Sequence, residues 1–187
     1  LSKKAMMSLS DLAILNMIKD PNQREKGCRA LVETYQRRVY SIIRKMVIIH
    51  EDADDITQNT FIKAFKNLEN FQSNSSLFTW LYRIATNESL NFIEKKKRRF
   101  FFPIEDHEEV MKNYIDESYY IDGDEIEKQL QKSLLKLPDK QRLVFNLKYF
   151  EDLSYDEISR ITETSVGALK ASYHHAVKKI ENELKIE

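Results

Sequence analysis

Glycine and proline are scarce in this chain, with three of each in 187 residues. A β-sandwich or barrel needs many turn residues, so the shortage argues for helices. Cys28 is the single cysteine, which rules out a disulfide framework and fits a reducing cytosol. A small residue packed on a helix is the plain reading of it. No apolar run approaches the roughly 18 residues of a membrane span, so membrane insertion is not expected. The opening residues Leu1-Ser2-Lys3-Lys4-Ala5-Met6-Met7 lack the apolar stretch and cleavage site of an export signal, and a cytoplasmic location is expected. Net charge is missing too: 30 Lys and Arg balance 30 Asp and Glu. A free-standing DNA binder ordinarily carries a basic excess, because phosphate neutralisation supplies much of its affinity. Any DNA binding by the isolated chain should therefore be weak, with a partner supplying the rest. There is no P-loop, no G-x-S-x-G and no dinucleotide fingerprint. His50-Glu51-Asp52 and His107-Glu108-Glu109 lack the H-E-x-x-H spacing that sets ligands on one helix face. No enzyme activity, metal or cofactor is expected.

What is present is helical periodicity in two blocks. Ser10 to Ile18 reads as a short helix with Ser10 as N-cap, and Pro21-Asn22 ends it. Leu31, Tyr35, Val39, Ile42 and Met46 mark the buried stripe of a helix from Gln23 to about Ile49. Asp52 to Asn67 predicts a third helix, with Phe61, Phe65 and Leu68 inward and acids at its positive end. The polar run Ser73-Asn74-Ser75-Ser76 is a loop, and a fourth helix follows from about Leu77 to Lys97, with Leu77, Leu81, Ile84 and Ala85 buried. Phe100 to Asp124 has no sustained period; Pro103 and many acids describe a flexible acidic linker. The expectation is all-α: an N-terminal helical bundle over residues 1–99, a linker over 100–124 and a four-helix domain over 125–187.

The second block opens with the stripe Ile126, Leu130, Leu134 and Leu137. Pro138 can sit in the first turn of the next helix, which runs to about Tyr149. Ser154-Tyr155-Asp156-Glu157 is a capping box, in which hydroxyl and carboxylate satisfy orphan amides reciprocally. A short helix to Ile161, a turn at Thr162-Glu163-Thr164 and a last helix capped by Ser165 make a helix-turn-helix. The last helix has Val166, Leu169, Tyr173, Val177, Ile180 and Leu184 as its inner stripe. Outward lie Gly167, Ala168, Lys170, Ala171, His174 and His175. Small residues permit close approach to a groove, and Lys170 then reaches a phosphate or a guanine edge. An ordinary helical hairpin with a solvated face explains the same pattern about equally well. Adjacent histidines point about 100° apart on a helix and chelate poorly.

A second constellation occupies Phe71 to Asn91. Phe71, Phe78, Trp80 and Tyr82 alternate with Gln72, Ser73, Asn74, Ser75, Thr79, Arg83, Asn87 and Asn91, and Lys95 to Arg99 follow as a basic run. Aromatics can stack on splayed bases, while amides and hydroxyls read an extruded base edge. Core packing explains Phe78 and Trp80 about as well; the polar loop before them favours a recognition surface. Three readings stand on the residues alone: a promoter reader that grips a partner protein with one helix and unstacked bases with the next, a conventional repressor or activator using only the helix-turn-helix, and a helical protein-interaction module that binds no DNA.

Three segments in order resemble the extracytoplasmic-function (ECF) group of the bacterial sigma-70 family of initiation factors. Asp52-Ala53-Asp54-Asp55-Ile56-Thr57-Gln58-Asn59-Thr60-Phe61 is similar to that group's core-polymerase-binding segment. Phe78-Thr79-Trp80-Leu81-Tyr82-Arg83-Ile84-Ala85-Thr86-Asn87 resembles its −10-element segment. Leu137-Pro138, Leu153 to Ile158 and Ser165-Val166-Gly167-Ala168-Leu169-Lys170 resemble its −35-reading domain. The resemblance implies a sigma factor that directs promoter-specific initiation. Asp52, Asp55, Gln58, Asn59 and Lys63 would meet the clamp helices of core RNA polymerase's largest subunit. Phe71, Gln72, Ser73, Asn74, Ser75, Phe78, Thr79, Trp80, Arg83, Asn87, Asn91 and Lys95 would serve the −10 element of promoter DNA. Tyr155, Ser165, Gly167, Lys170, Ala171, Ser172, His174, His175 and Lys178 would serve the −35 element, with the polymerase flap region beside that domain. An anti-sigma factor is a further implied partner. Asn59 stands where the family usually has Glu, and Ser172, His175 and Val177 stand where it usually has arginines, so both contacts are less charged than usual.

Overall fold

In the computed structural model the chain is described over residues 3–68, 71, 76–99 and 125–184. Among the described residues there are eight helices and no strand: α1 (Lys3–Lys19), α2 (Arg24–Val47), α3 (His50–Asn67), α4 (Leu77–Arg99), α5 (Glu125–Leu135), α6 (Asp139–Tyr149), α7 (Tyr155–Thr162) and α8 (Val166–Leu184). The linker expected over 100–124 lies outside the described residues, as do Gln72, Ser73, Asn74 and Ser75.

Helices α1 to α4 pack around the stripe read from the sequence. Leu31, Tyr35, Val39, Ile42 and Met46 are all buried, and α3 and α4 bring Ala53, Ile56, Phe61, Leu77, Leu81 and Ala85 against them. Each fully buried large aliphatic contributes about 1.5–3 kcal/mol relative to exposure, so this stripe is the main stabilising feature of the bundle. Gly27 lets α1 cross α2 closely: a Cβ there would stand 2.7 Å from Ile18 Cγ1 and 2.8 Å from the Ile18 backbone nitrogen. Tyr35 reaches out of the core to hydrogen-bond Asp11. Ser10 is inside α1 rather than at its start, because the helix begins at Lys3. A Ser before an apolar run signals a cap only if the preceding residues are not helical, and here they are.

The α2–α3 reversal is tight. Ile48 has φ 67 and ψ −41, and the amide of Ile49 donates to the Val47 carbonyl at 2.8 Å. That is a γ-turn with a β-branched centre, a strained conformation held by burial of the Ile48 side chain. It lets α3 begin at His50, two residues before the first acid of the expected helix. Ser76 caps α4, its Oγ accepting from the Thr79 amide at 3.1 Å.

In the second block Pro138 sits at the N-cap of α6, one residue outside the expected first turn. Ser154 and Glu157 form the capping box of α7: Ser154 Oγ accepts from the Glu157 amide at 3.3 Å, and the Ser154 amide donates to Glu157 Oε2 at 2.9 Å. Glu163 takes the left-handed conformation (φ 53) that turns the chain into α8, and Ser165 Oγ accepts from the Ala168 amide at 3.3 Å. Leu134, Leu137, Phe145, Ala176 and Ile180 form a core of their own. Leu143, Val144, Leu147, Leu153, Ile158, Ile161 and Leu169 instead join the cluster built by α1 to α4. The two modules are therefore packed against each other, which periodicity within each helix does not announce.

Candidate nucleic-acid and protein interface

The outward face of α3 is polar and continuous. Asp55, Gln58 and Asn59 are exposed, spaced so that all three share one helix face, and Lys63 continues the row. Lys63 is paired with Glu88 of α4. Asp52 is half-buried and holds Lys96 at 2.6 Å, so its charge is already partly compensated. Ile62 belongs to this face although the sequence reading passed over it: it is 47% exposed, an apolar side chain amid polar ones. The signal was available, because position 62 follows Asp55, Gln58 and Asn59 at helical spacing. An apolar centre within a polar rim is the usual anatomy of a protein-binding patch.

Helix α4 divides its residues differently from the expectation. Phe78 and Thr79 are 7% and 3% exposed, and Tyr82 is fully buried. Phe78 packs on Tyr82 with ring centroids 4.1 Å apart, and the Arg38 guanidinium lies 4.3 Å from the Phe78 ring centre. Neither Phe78 nor Thr79 can present a surface to bases in this conformation; both are core residues, because the α4 stripe that begins at Leu77 turns them inward. Of Phe71, Phe78, Trp80 and Tyr82, Phe71 and Trp80 are left half-exposed, their centroids 5.1 Å apart. Asn87, Asn91 and Lys95 are exposed and recur every four residues, and Arg83 begins the row. These four share a slowly turning face of α4.

In the helix-turn-helix, Ser165, Gly167, Lys170, Ala171, His174, His175 and Lys178 are exposed along α8, while Ser172 is half-buried. A Cβ added at Gly167 would meet nothing within 4 Å, so that end of the helix is open. Lys170 Nζ lies 5.9 Å from the Tyr155 ring centre, and Tyr155 stands edge-on to Tyr173. Burial raises the Tyr173 phenol above its ordinary range, with Tyr155 and Tyr149 adding to the effect. This surface has cations, small residues and hydroxyls, the equipment for approaching a phosphate-lined groove. His174 and His175 have ring centroids 6.0 Å apart and diverge. Among the described residues no group of three or more His, Cys, Asp or Glu could hold a metal ion, and no helix is long and apolar enough to cross a membrane.

The family model for Sigma-70 region 2 matches residues 31–99, and the model for Sigma-70 region 4 matches residues 127–180. The chain is 30% identical over 184 residues to the ECF RNA polymerase sigma factor SigW of Bacillus subtilis, covering 94% of this chain and 98% of that protein. It is 31% identical over 186 residues to the ECF RNA polymerase sigma-E factor of Haemophilus influenzae, covering 94% and 96%. Its fold is similar to CnrH, solved in complex with the cytosolic domain of CnrY, with TM-score 0.68 and 21% identity over 95% of this chain and 99% of that one. The sigma factor RpoE of Bartonella quintana, solved with the anti-sigma factor NepR, gives TM-score 0.64 and 21% identity over 83% and 95%.

Proposed function

The chain belongs to the ECF group of the sigma-70 family, a promoter-specific transcription initiation factor, and from that premise we propose which of its surfaces carry initiation. Residues 1–99 dock on core RNA polymerase and take the −10 element; residues 125–187 take the −35 element; residues 100–124 link them. The observation that supports this division is the order of three exposed faces, one on α3, one on α4 and one on α8, along two matched regions.

Asp55, Gln58 and Asn59, with Asp52 and Lys63 at the edges and Ile62 among them, bind the clamp helices of the largest polymerase subunit. Arg83, Asn87, Asn91 and Lys95 face the −10 DNA, with Phe71 and Trp80 as the stacking surface for a base that has left the duplex. Gln72, Ser73, Asn74 and Ser75, which follow Phe71 in the sequence, serve the same −10 contact. Base capture there stabilises the melted state, since an extruded base is held only in the open complex. On α8, Gly167, Lys170, Ala171, His174, His175 and Lys178 enter the −35 major groove, with Tyr155, Ser165 and Ser172 at its margin, and the polymerase flap supports this module. Two weak DNA contacts become one strong contact because the polymerase holds both modules at a set separation. A protein partner that withholds the factor from polymerase, as an anti-sigma factor does, completes the reading. The site of action is the cytoplasm, where polymerase and promoters are.

Gel-shift on promoter DNA with and without core polymerase, followed by transcription in vitro, tests this. The expected result is little shift by the chain alone, a specific shift with core, and RNA from selected start sites. Asp55→Ala/Gln58→Ala should abolish the core-dependent shift while leaving the helical signal and melting temperature unchanged, because both side chains are exposed. Tight binding without polymerase would favour a conventional repressor and overturn the proposal.

A further inference from the structure

His174 and His175 stand exposed in the middle of α8, among the lysines that the helix offers outward. His174 is one turn from Lys170 and one turn from Lys178; His175 comes three residues before Lys178 and four before Lys179. Their ring centroids are 6.0 Å apart, with the planes inclined at 58°. Successive residues turn by about 100° around a helix, so the rings point to different sides and can meet two separate anions. Neither ring makes an ion pair or a hydrogen bond among the described residues.

A proton on either imidazole finds little counter-charge within this module. Along α8 its near neighbours are cations, and two imidazolium charges at this separation also repel each other. Glu181 comes two turns after His174, about 10 Å along the axis. Glu183 is paired with Lys136, and the Lys179 ammonium donates to the Lys136 carbonyl at 2.6 Å. Helix α8 packs against α5, α6 and α7. On α7 the Glu157 carboxylate accepts from the Ser154 amide and hydroxyl, leaving Asp156 and Arg160 as exposed charges of opposite sign. In the turn before α8, Glu163 is paired with Arg83. On α6, Asp139 is paired with Lys97, and Lys140 and Lys148 add positive charge. On α5, Glu127 is outnumbered by Lys128 and Lys132. Tyr149, Tyr155 and Tyr173 are phenols, a class without charge near neutral pH.

A duplex reverses this balance, because its groove walls are lined with phosphate charge. We propose that the −35 contact is proton-coupled: His174 and His175 take up protons as α8 enters the major groove, so the hold on −35 duplex tightens as the pH falls. This rests on the −35 reading proposed above and adds its regulation. Lysine keeps its charge throughout, whereas histidine as a class changes charge between about pH 5 and 8. Lys170 and Lys178 therefore set a constant level of attraction, and the two histidines add a variable one. Here the complex favours the charged form. The added affinity is thus fully present below the pH at which the free chain takes its protons, and is lost as the pH rises past the point where the complex releases them.

The test uses the full chain with core polymerase and the duplex upstream of the start sites that the parent selects, at several pH values from 6 to 8. His174→Gln/His175→Gln removes the titrating rings, and His174→Arg/His175→Arg makes the charge permanent. Both pairs are exposed, and an unchanged melting temperature confirms the fold. The parent-to-Gln ratio of affinities cancels any pH response of polymerase itself. That ratio should rise by about tenfold or more from pH 8 to pH 6. The slope of log affinity against log salt should steepen by about 0.9 for each histidine that gains a phosphate contact. The Arg variant should hold at pH 8 the affinity that the parent reaches at pH 6, with a flat ratio to the Gln variant. Binding of a single-stranded −10 oligonucleotide should show no such ratio change. A flat parent-to-Gln ratio on −35 duplex that is bound specifically defeats the proton coupling alone. A ratio that changes equally for the −10 oligonucleotide overturns it too, since the rings then act on the protein rather than in the groove. A parent that shows no −35 dependence at any pH defeats the −35 reading, and the coupling falls with it.

Discussion

The Tyr82 hydroxyl donates to Glu151 Oε2 at 2.8 Å, joining the fourth helix of one module to the loop before the helix-turn-helix of the other. Burial is the main force raising the Tyr82 phenol well above its ordinary value, with the Glu151 carboxylate adding to it. Tyr35 is raised for the same reason, burial first and then its bond to Asp11. A group whose folded pKa is raised stabilises the fold fully below its unfolded pKa, here 10.0 for both phenols, and loses that stabilisation as the pH rises above it. Denaturant midpoints should therefore fall steeply above about pH 10. Tyr82→Phe should flatten that fall, and at neutral pH it should cost about 1.5 kcal/mol for the lost bond to a charged partner. A slope unchanged in both Tyr82→Phe and Tyr35→Phe would contradict this assignment.

Gly27→Ala sets two effects against each other. Alanine favours a helix over glycine by about 1 kcal/mol. Its methyl would stand 2.8 Å from the Ile18 backbone nitrogen and 2.9 Å from Met17 Cβ, so α1 has to move away from α2. Overpacking of this kind costs about 1–3 kcal/mol, and backbone cannot swing aside as a side chain can. The net expectation is destabilisation, seen as a lower thermal midpoint together with faster amide exchange in α1.

Ser154→Ala removes one half of the capping box of α7. The loss should be about 1 kcal/mol, typical for an N-cap serine. Because α7 is only eight residues long, the effect should concentrate there. Amide exchange should rise at Glu157 and Ile158 while α2 and α3 are unaffected. Glu157→Ala, which removes the reciprocal acceptor for the Ser154 amide, should reproduce part of the change.

The helices and their inner faces were legible because one period explains them. Leu31, Tyr35, Val39, Ile42 and Met46 had to share a face, and the capping box of Ser154 marks a helix start through local chemistry alone. The burial of Phe78 and Thr79 is not legible for a physical reason: a polar loop before an aromatic cluster is compatible with either face, and only the register set by Leu77 and Leu81 decides. Ser10 was misjudged because a cap depends on what precedes it. The packing of one module on the other is not legible in a one-dimensional pattern, where Asn146, which donates to the Lys45 carbonyl, and its helix neighbour Arg142 both read as surface residues. Their burial, with Arg142 6% exposed and Asn146 0%, is a tertiary fact. The exposed face of α3 was found by resemblance, yet Ile62 was not, because an apolar residue next to Phe61 is ordinarily assigned to the core.

Lys170 offers a test of the proposed −35 contact of α8 that is independent of melting. Its ammonium lies over the Tyr155 ring and has no ion pair among the described residues, so replacing it removes a cation without orphaning a carboxylate there. Lys170→Ala should leave thermal stability within about 0.5 kcal/mol of the parent, as is usual for an exposed surface position. In the presence of core polymerase it should weaken binding to duplex carrying a −35 element. If the contact is to phosphate, all sequences weaken alike and the slope of log affinity against log salt shrinks by about 1. If it is to a guanine edge, the loss should reach about 1–3 kcal/mol and vanish on templates altered at one base pair. Capture of −10 bases is proposed for α4, so binding of a single-stranded −10 oligonucleotide by the core complex should be the same in parent and variant. A Lys170→Ala protein that loses −10 capture as well would mean that α8 acts on the other module and not on DNA.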